Sequence, residues 1–259
     1  MARASLLLAV ILTFLAPGAG ARPSALLFCH ENQDSYPWVL KDRPGLNIML
    51  IMQLESALGM PIRLRPLPWK RCLAELAANQ VDGAFASSFK ADRMAMGRYP
   101  LDKDGMPDAS KKLHQSDYSL YRAKGDDLDW DGQRFRNLRG PIGTLSGFSI
   151  ADFLKQRGAG VDDGSKSPED TLRKVAIGRL QGAALQTPRA ERLLQQHPEL
   201  GRSIERLPVL LEARPYYLML SFKLVKEEPR FAEHIWSLVA QIRASAAYQR
   251  QEREFYGTN

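Results

Sequence analysis

Only two cysteines, Cys29 and Cys72, and four histidines occur in 259 residues. The histidines are dispersed and no Cys/His spacing matches a zinc ligand set, so no metal centre is expected. Gly-x-Ser-x-Gly and a phosphate loop are missing too. That removes the serine-hydrolase elbow and the nucleotide-phosphate cradle as starting points. Basic residues exceed acidic ones, 36 to 29, yet they form no run of five or more and few aromatics interleave with them. The footprint of a nucleic-acid binder is therefore lacking, and the formal charge of +7 reads as solvated surface with some pull on anionic ligands. The paired carboxylates Asp126-Asp127 and Asp162-Asp163 lie in polar stretches read as loops, where such pairs are solvated.

The apolar run that does occur is short. A positive start with Arg3 precedes SLLLAVILTFL at 5–15 and the small residues APGAGA at 16–21. This pattern predicts an export signal, 1–21, cut after Ala21. Its apolar core is too short to span a bilayer, and no later stretch is long and apolar enough. With no cysteine near the cut, a lipid anchor is excluded, and a freely diffusing exported protein fits a Gram-negative periplasm. In an oxidising compartment Cys29 and Cys72 suggest a disulfide, and two separate buried thiols are the alternative. Sequence alone does not give the Cα separation that a bridge requires.

With 259 residues the chain can build one large domain or two small ones. Ala25–Cys29 reads as a strand and Tyr36-Pro37-Trp38 as a loop. Gly45 to Leu58 has apolar residues at helical spacing and stops at Gly59. Ile62–Leu67 alternates like a strand, Pro68-Trp69 opens a helix through Ala78, and Val81–Ala86 is a strand. This β-α-β-α-β order predicts an α/β fold with largely parallel pairing. A loop at 103–115 and a short strand at Tyr118–Tyr121 follow. A second α/β unit has a strand to Thr144, a turn at Ser146-Gly147, helices at Ser149–Gln156 and Pro168–Gly178, and a strand at Leu180–Leu185. Tyr216–Phe222 is a further strand, and Arg230–Phe255 a single long helix. LAELAANQVDGAFAS at 73–87 aligns with LRKVAIGRLQGAALQ at 172–186, each a helix, a tight turn and a buried strand. That pairing favours two similar lobes.

Several landmarks carry a family likeness. They are Tyr36-Pro37-Trp38, Gly45-Leu46-Asn47-Ile48, Val81-Asp82-Gly83-Ala84 leading to Arg93, and Ile142 to Gly147. Later come Gly178-Arg179-Leu180 leading to Thr187-Pro188, then Tyr217 to Ser221, and Tyr248 to Gly257. In their order and spacing the chain resembles the extracytoplasmic solute-binding proteins of family 3, the polar-amino-acid receptors of ABC importers. The resemblance implies a two-lobed type II periplasmic-binding-protein fold, each lobe a mostly parallel sheet flanked by helices. The first lobe would span 22–118 and the second 119–215, with 216–259 returning to the first. Crossovers near Tyr118–Arg122 and Arg214–Leu218 would let the lobes close on a ligand. In the family the arginine at the place of Arg93 grips an α-carboxylate, which its planar fork fits bidentately. Two positions depart from the pattern. Lys90 stands where the family has Thr, and Gln186 stands where an acid pairs with the ligand's α-ammonium.

The candidate ligand-binding residues are Arg93 with Ser87 and Ser88, whose hydroxyls would complete its shell, and Tyr36 and Trp38 as a stacking wall. Trp69 opens a helix, and Arg71, one turn on, either serves an anion there or faces water. Gly147, Phe148 and Ser149 either offer backbone N–H groups to the ligand or form an ordinary N-cap at Ser149. Gln186 is either a ligand contact or solvated, Tyr217 reads as core or hinge, and His30 and His114 as structural or exposed. No cofactor and no catalytic residue are expected. The reading is a monomeric, non-enzymatic periplasmic binder of an amino acid or carboxylate-like metabolite, working with a membrane permease. One alternative is a sensor subunit presenting its closed form to a membrane receptor. Another is an enzyme like the cyclohexadienyl dehydratases on the same fold, with Glu31 or Asp34 as acid or base.

Overall fold

A computed structural model describes residues 23–257. The expected export segment, 1–21, lies outside the described residues. The first half of the chain gives β1 (Leu26–Glu31), α1 (Leu46–Leu58), β2 (Ile62–Leu67), α2 (Trp69–Ala77) and β3 (Gly83–Ser88). Next come β4 (His114–Ala123), the small hairpin β5 (Asp129–Trp130) and β6 (Phe135–Arg136), β7 (Ile142–Leu145), α3 (Ile150–Gln156) and β8 (Val161–Ser165). They are followed by α4 (Pro168–Ala176), β9 (Gly182–Gln186), α5 (Thr187–Gln196), α6 (Pro198–Ser203), β10 (Ile204–Arg206) and β11 (Glu212–Leu220). The chain closes with α7 (Phe222–Glu227), α8 (Pro229–Ala244) and α9 (Ala246–Gly257).

One sheet runs through the molecule in the order β2-β1-β3-β11-β4-β9-β7-β8, with β10 beside β4. Its two ends are parallel trios, β2-β1-β3 and β9-β7-β8. The antiparallel strands β11 and β4 join them. Each trio has its own cores. Leu26, Leu46, Phe85 and Trp236 belong to one cluster of the first lobe, and Cys29, Leu73, Tyr99 and Met219 to another. Trp130, Ile150 and Leu207 form one cluster of the second lobe, and Leu172, Leu185 and Ile204 another. The internal likeness is structural: α2 and α4 each run through a tight turn into a buried strand that starts at glycine, Gly83 or Gly182. A side chain at Gly83 would lie 2.8 Å from the Phe28 ring, so the close packing there needs glycine.

Several boundaries differ from the sequence reading. β1 extends through His30 and Glu31, and β3 runs to Ser88 instead of ending at Ala86. β4 is a ten-residue strand rather than a short one, and it begins inside the expected loop. Asp162 and Asp163 lie in β8, an edge strand, not in a loop. The expected long C-terminal helix is two helices. Ser245 takes extended backbone angles between them, and its Oγ accepts the Tyr248 N–H at 3.2 Å, so it starts a new helix. Cys29 and Cys72 are disulfide-bonded, tying β1 to α2. Among the described residues no helix is long and apolar enough to cross a membrane.

Candidate functional site

In open parallel sheets, ligands bind beyond the carboxyl ends of the strands, where helices begin and backbone groups are free. Here the ends of both parallel trios meet. His30 and Glu31 end β1, Ser88 ends β3, Phe148 and Ser149 follow β7, and Gln186 ends β9. Together with Trp38, Trp69, Arg93 and Arg189 they line a cavity of about 40 Å³ between the lobes.

Ala86 has φ +62°, unusual for any residue but glycine. Beside it the β3–β11 register shifts, with Ser87 opposite Tyr217 but Ala84 opposite Met219. Phe85 and Ala86 of β3 thus oppose the one residue Leu218 of β11, a β-bulge. The bulge breaks the strict alternation of a strand, so Phe85 and Ser88, three apart, both line the cavity. Ser87 turns to the other side, where its hydroxyl and that of Tyr99 share a hydrogen bond of 2.8 Å. The two serines, adjacent in sequence, therefore have different surroundings.

Arg93 sits on the 3₁₀ turn Ala91–Ala95 after β3 and is buried. Its Nη1 donates to the Ser88 carbonyl at 2.6 Å and to Ser88 Oγ at 3.2 Å, and its Nη2 reaches the Gly147 carbonyl across the cleft at 2.9 Å. Gly147 has φ +77° and presents its carbonyl to this arginine, while the Phe148 N–H is used by Leu145. Ser149 occupies the N-cap position of α3 but makes no cap bond. Its hydroxyl meets Ser88 Oγ at 2.8 Å. Lys90 adds a third link between lobes, 2.9 Å from Asp152 on α3. Phe148 packs against clusters of both lobes.

Trp38 is held by α1. The N–H groups of Leu46 and Asn47 donate to the Pro37 and Trp38 carbonyls, and any side chain at Gly45 would collide with that loop. The Trp38 ring stacks on His114 at 3.8 Å, and His114 on Tyr216 at 4.8 Å. Beneath them Gln186 Nε2 donates to Tyr216, whose hydroxyl donates to Tyr118, both at 2.9 Å. Gln186 Oε1 accepts from Ser35 of the first lobe at 3.4 Å. The structure thus brings Trp38, Trp69, Ser88, Arg93, Phe148, Ser149 and Gln186 to one cavity, with Gly147 at its edge.

Three candidates lie elsewhere, Ser87 on the Tyr99 side of β3 being one. Tyr36 lines a separate cleft of about 270 Å³, beneath the Arg192 guanidinium. Arg71 is exposed and pairs with Glu75 on its own helix. Tyr217 is buried in the first lobe, edge-on to Tyr99. His30 and His114, read as structural or exposed, are buried and line the cavity. Burial pushes the imidazole pKa of each down, that of His114 well below the usual value. Burial raises the Glu31 carboxyl, against the opposing charge of Arg189.

Arg189 was not singled out from the sequence. It lies in the first turn of α5, is almost wholly buried, and is shared between the central cavity and the larger cleft. Burial lowers its pKa to about 10, with Glu31 pulling the other way. The TPRAER context reads as an ordinary helix start, and only the folded arrangement reveals its position. Among the described residues no group of three or more His, Cys, Asp or Glu side chains could hold a metal ion.

No family model and no curated protein matches the chain. Solved structures do. An ancestral arginine-binding protein bound to glutamine superposes with a TM-score of 0.71 at 16% identity, covering 91% of this chain and 99% of that one. A histidine kinase sensor domain with similarity to periplasmic binding proteins gives 0.71 at 14%, covering 90% and 96%. An ancestral amino acid-binding protein, a precursor of cyclohexadienyl dehydratase, gives 0.66 at 13%, covering 90% and 95%. With two parallel trios joined by antiparallel strands around one cavity, the chain has the two-lobed fold of the periplasmic binding proteins it resembles in sequence.

Proposed function

We propose that this protein is an exported solute-binding protein that closes two lobes over a small polar or anionic metabolite, an amino acid or a carboxylate-like compound. The observation that carries the reading is an interlobe cavity with one buried guanidinium from each side, Arg93 after β3 and Arg189 on α5. A buried charge is tolerated where it has hydrogen bonds or a counter-charge, and a ligand carboxylate supplies both. Opening requires β4 and β11 to flex and the Arg93–Gly147, Ser88–Ser149 and Lys90–Asp152 links to break. The resemblance to importer receptors supports an ABC permease as the partner, with the protein acting in the periplasm without turnover.

The test is a thermal-shift screen of the chain from Arg22 onward against amino acids, organic acids, polyamines, sugars and peptidoglycan fragments. A ligand that binds the native state raises the melting temperature by mass action. The expected result is a hit in one class that is lost in Arg93→Ala. No shift with any class would overturn the reading. The likeness to a sensor domain favours a second partner, a membrane receptor that reads the closed form. Uptake of the identified ligand in a deletion strain separates the two, since loss of import marks the permease. Recovery of the hit compound unchanged after long incubation is expected of a binder, and its conversion would point to an enzyme.

A further inference from the structure

We infer that Arg189 is the specificity anchor of the cavity and that the ligand is a small organic anion carrying no α-ammonium group. This rests on the binding reading above and narrows its substrate class. Arg93 is already engaged by the Ser88 and Gly147 carbonyls. Those acceptors solvate its guanidinium but bring no negative charge. Arg189 is different. It is only 4% exposed, and its buried Nε and Nη1 have no hydrogen-bond partner among the described residues. Buried donors are almost always paired, and one left unpaired on a charged group is costly to the fold.

The other buried side-chain atoms left unpartnered on the cavity-lining residues are Trp38 Nε1 and His114 Nε2. No carboxylate, carbonyl or hydroxyl oxygen is among them. Indole N–H and guanidinium N–H only donate, so the buried unpaired donors outnumber the one acceptor, His114 Nε2, which is unprotonated when Nδ1 donates to Asn47 Oδ1. Charge points the same way. The lining carries Arg93, Arg189 and one carboxylate, Glu31, whose two oxygens already accept the N–H groups of Gln33 and Trp69 at 3.2 Å. Gln186, the remaining acidic opportunity at the end of β9, is neutral and bonded to Ser35 and Tyr216. A zwitterion would leave the excess positive charge standing and would have to place its ammonium beside two guanidinium groups. An anion cancels it, and its oxygens accept from the unpaired Nε and Nη1 of Arg189, which point from different edges of the planar guanidinium.

Isothermal titration with matched pairs tests this: succinate against aspartate, glutarate against glutamate, and propionate against alanine. At least one member without the amine is expected to bind ten-fold or more tightly than its amino counterpart. Arg189→Gln is expected to weaken that binding at least ten-fold, and Arg189→Lys, which keeps the charge without the fork, to weaken it less. Circular dichroism confirms that both variants fold. An amino acid that binds as tightly as its deaminated partner, or a carboxylate affinity within two-fold of the parent in Arg189→Gln, would overturn the inference and leave the binding function intact. If no pair member binds but another class does in the wider screen, the anionic ligand class is wrong while the binding function survives. Failure of every class would remove both.

Discussion

Ala86 shows how much one residue decides. Left-handed backbone at an L-residue costs about 1–2 kcal/mol, and the fold accepts it at φ +62° to place Phe85 and Ser88 on the cavity together. Ala→Gly in a regular strand lowers stability by about 0.5–1 kcal/mol. At Ala86 the strain relieved offsets that loss, so Ala86→Gly is expected to leave stability unchanged or raise it by up to about 1 kcal/mol. Ala86→Val is expected to lower it by about 1–3 kcal/mol, as β-branching worsens the positive φ. Urea unfolding of both variants measures this, and an ordinary strand-like loss in the glycine variant would count against the bulge. The same residue explains why Ser87 and Ser88 could not be told apart in sequence. Their different surroundings come from a one-residue insertion in the ladder, and nothing in the string FASS marks it.

At the scale of elements, the staple between β1 and α2 sits directly behind the site. Cys29 is two residues from Glu31, and Cys72 three from Trp69, whose N–H donates to Glu31 at 3.2 Å. Replacing both cysteines, Cys29→Ala with Cys72→Ala, is expected to cost about 2–4 kcal/mol for a loop of this length. Ligand affinity should fall with it, because the Glu31–Trp69 corner loses its brace. Melting curves with and without ligand read both effects, and an unchanged melting temperature would show the staple to be idle. Elements with local punctuation were legible: α1 stops where Gly59 takes φ +60°, and α4 starts where Ser167 accepts the Asp170 N–H. Elements fixed by distant partners were not. β8 holds polar residues on a sheet edge, β4 gains its length from β11 and β9, and Arg189 is buried by the first lobe closing over α5. The break at Ser245 left one signal, a serine before a helical run, without the glycine or proline that marks most helix ends.

At the scale of the whole molecule, the lobes share one sheet, and β4, one of the two strands that join them, carries a buried imidazole. His114 begins β4, stacked between Trp38 and Tyr216, with its Nδ1 3.0 Å from Asn47 Oδ1. Burial pushes its pKa well below the usual value, and burial lowers His30 on β1 as well. An unfolded histidine takes up a proton near pH 6.5, while in the fold both take it up only at lower pH. The stability they contribute is therefore full above that pH and is lost as pH falls, down to their folded pKa values. Glu31 acts in the opposite sense, since its folded carboxyl is raised and protonates before the unfolded one. Comparing parent with His114→Phe isolates a single imidazole, because His30 and Glu31 are common to both. Between pH 7.5 and 5.5 the parent should lose about 1.4 kcal/mol more unfolding free energy than the variant, the linkage of one proton across that window. Urea titrations at the two pH values measure it. An equal loss in both proteins would mean that His114 takes up its proton within the folded joint, and that the stack between the lobes tolerates a charge.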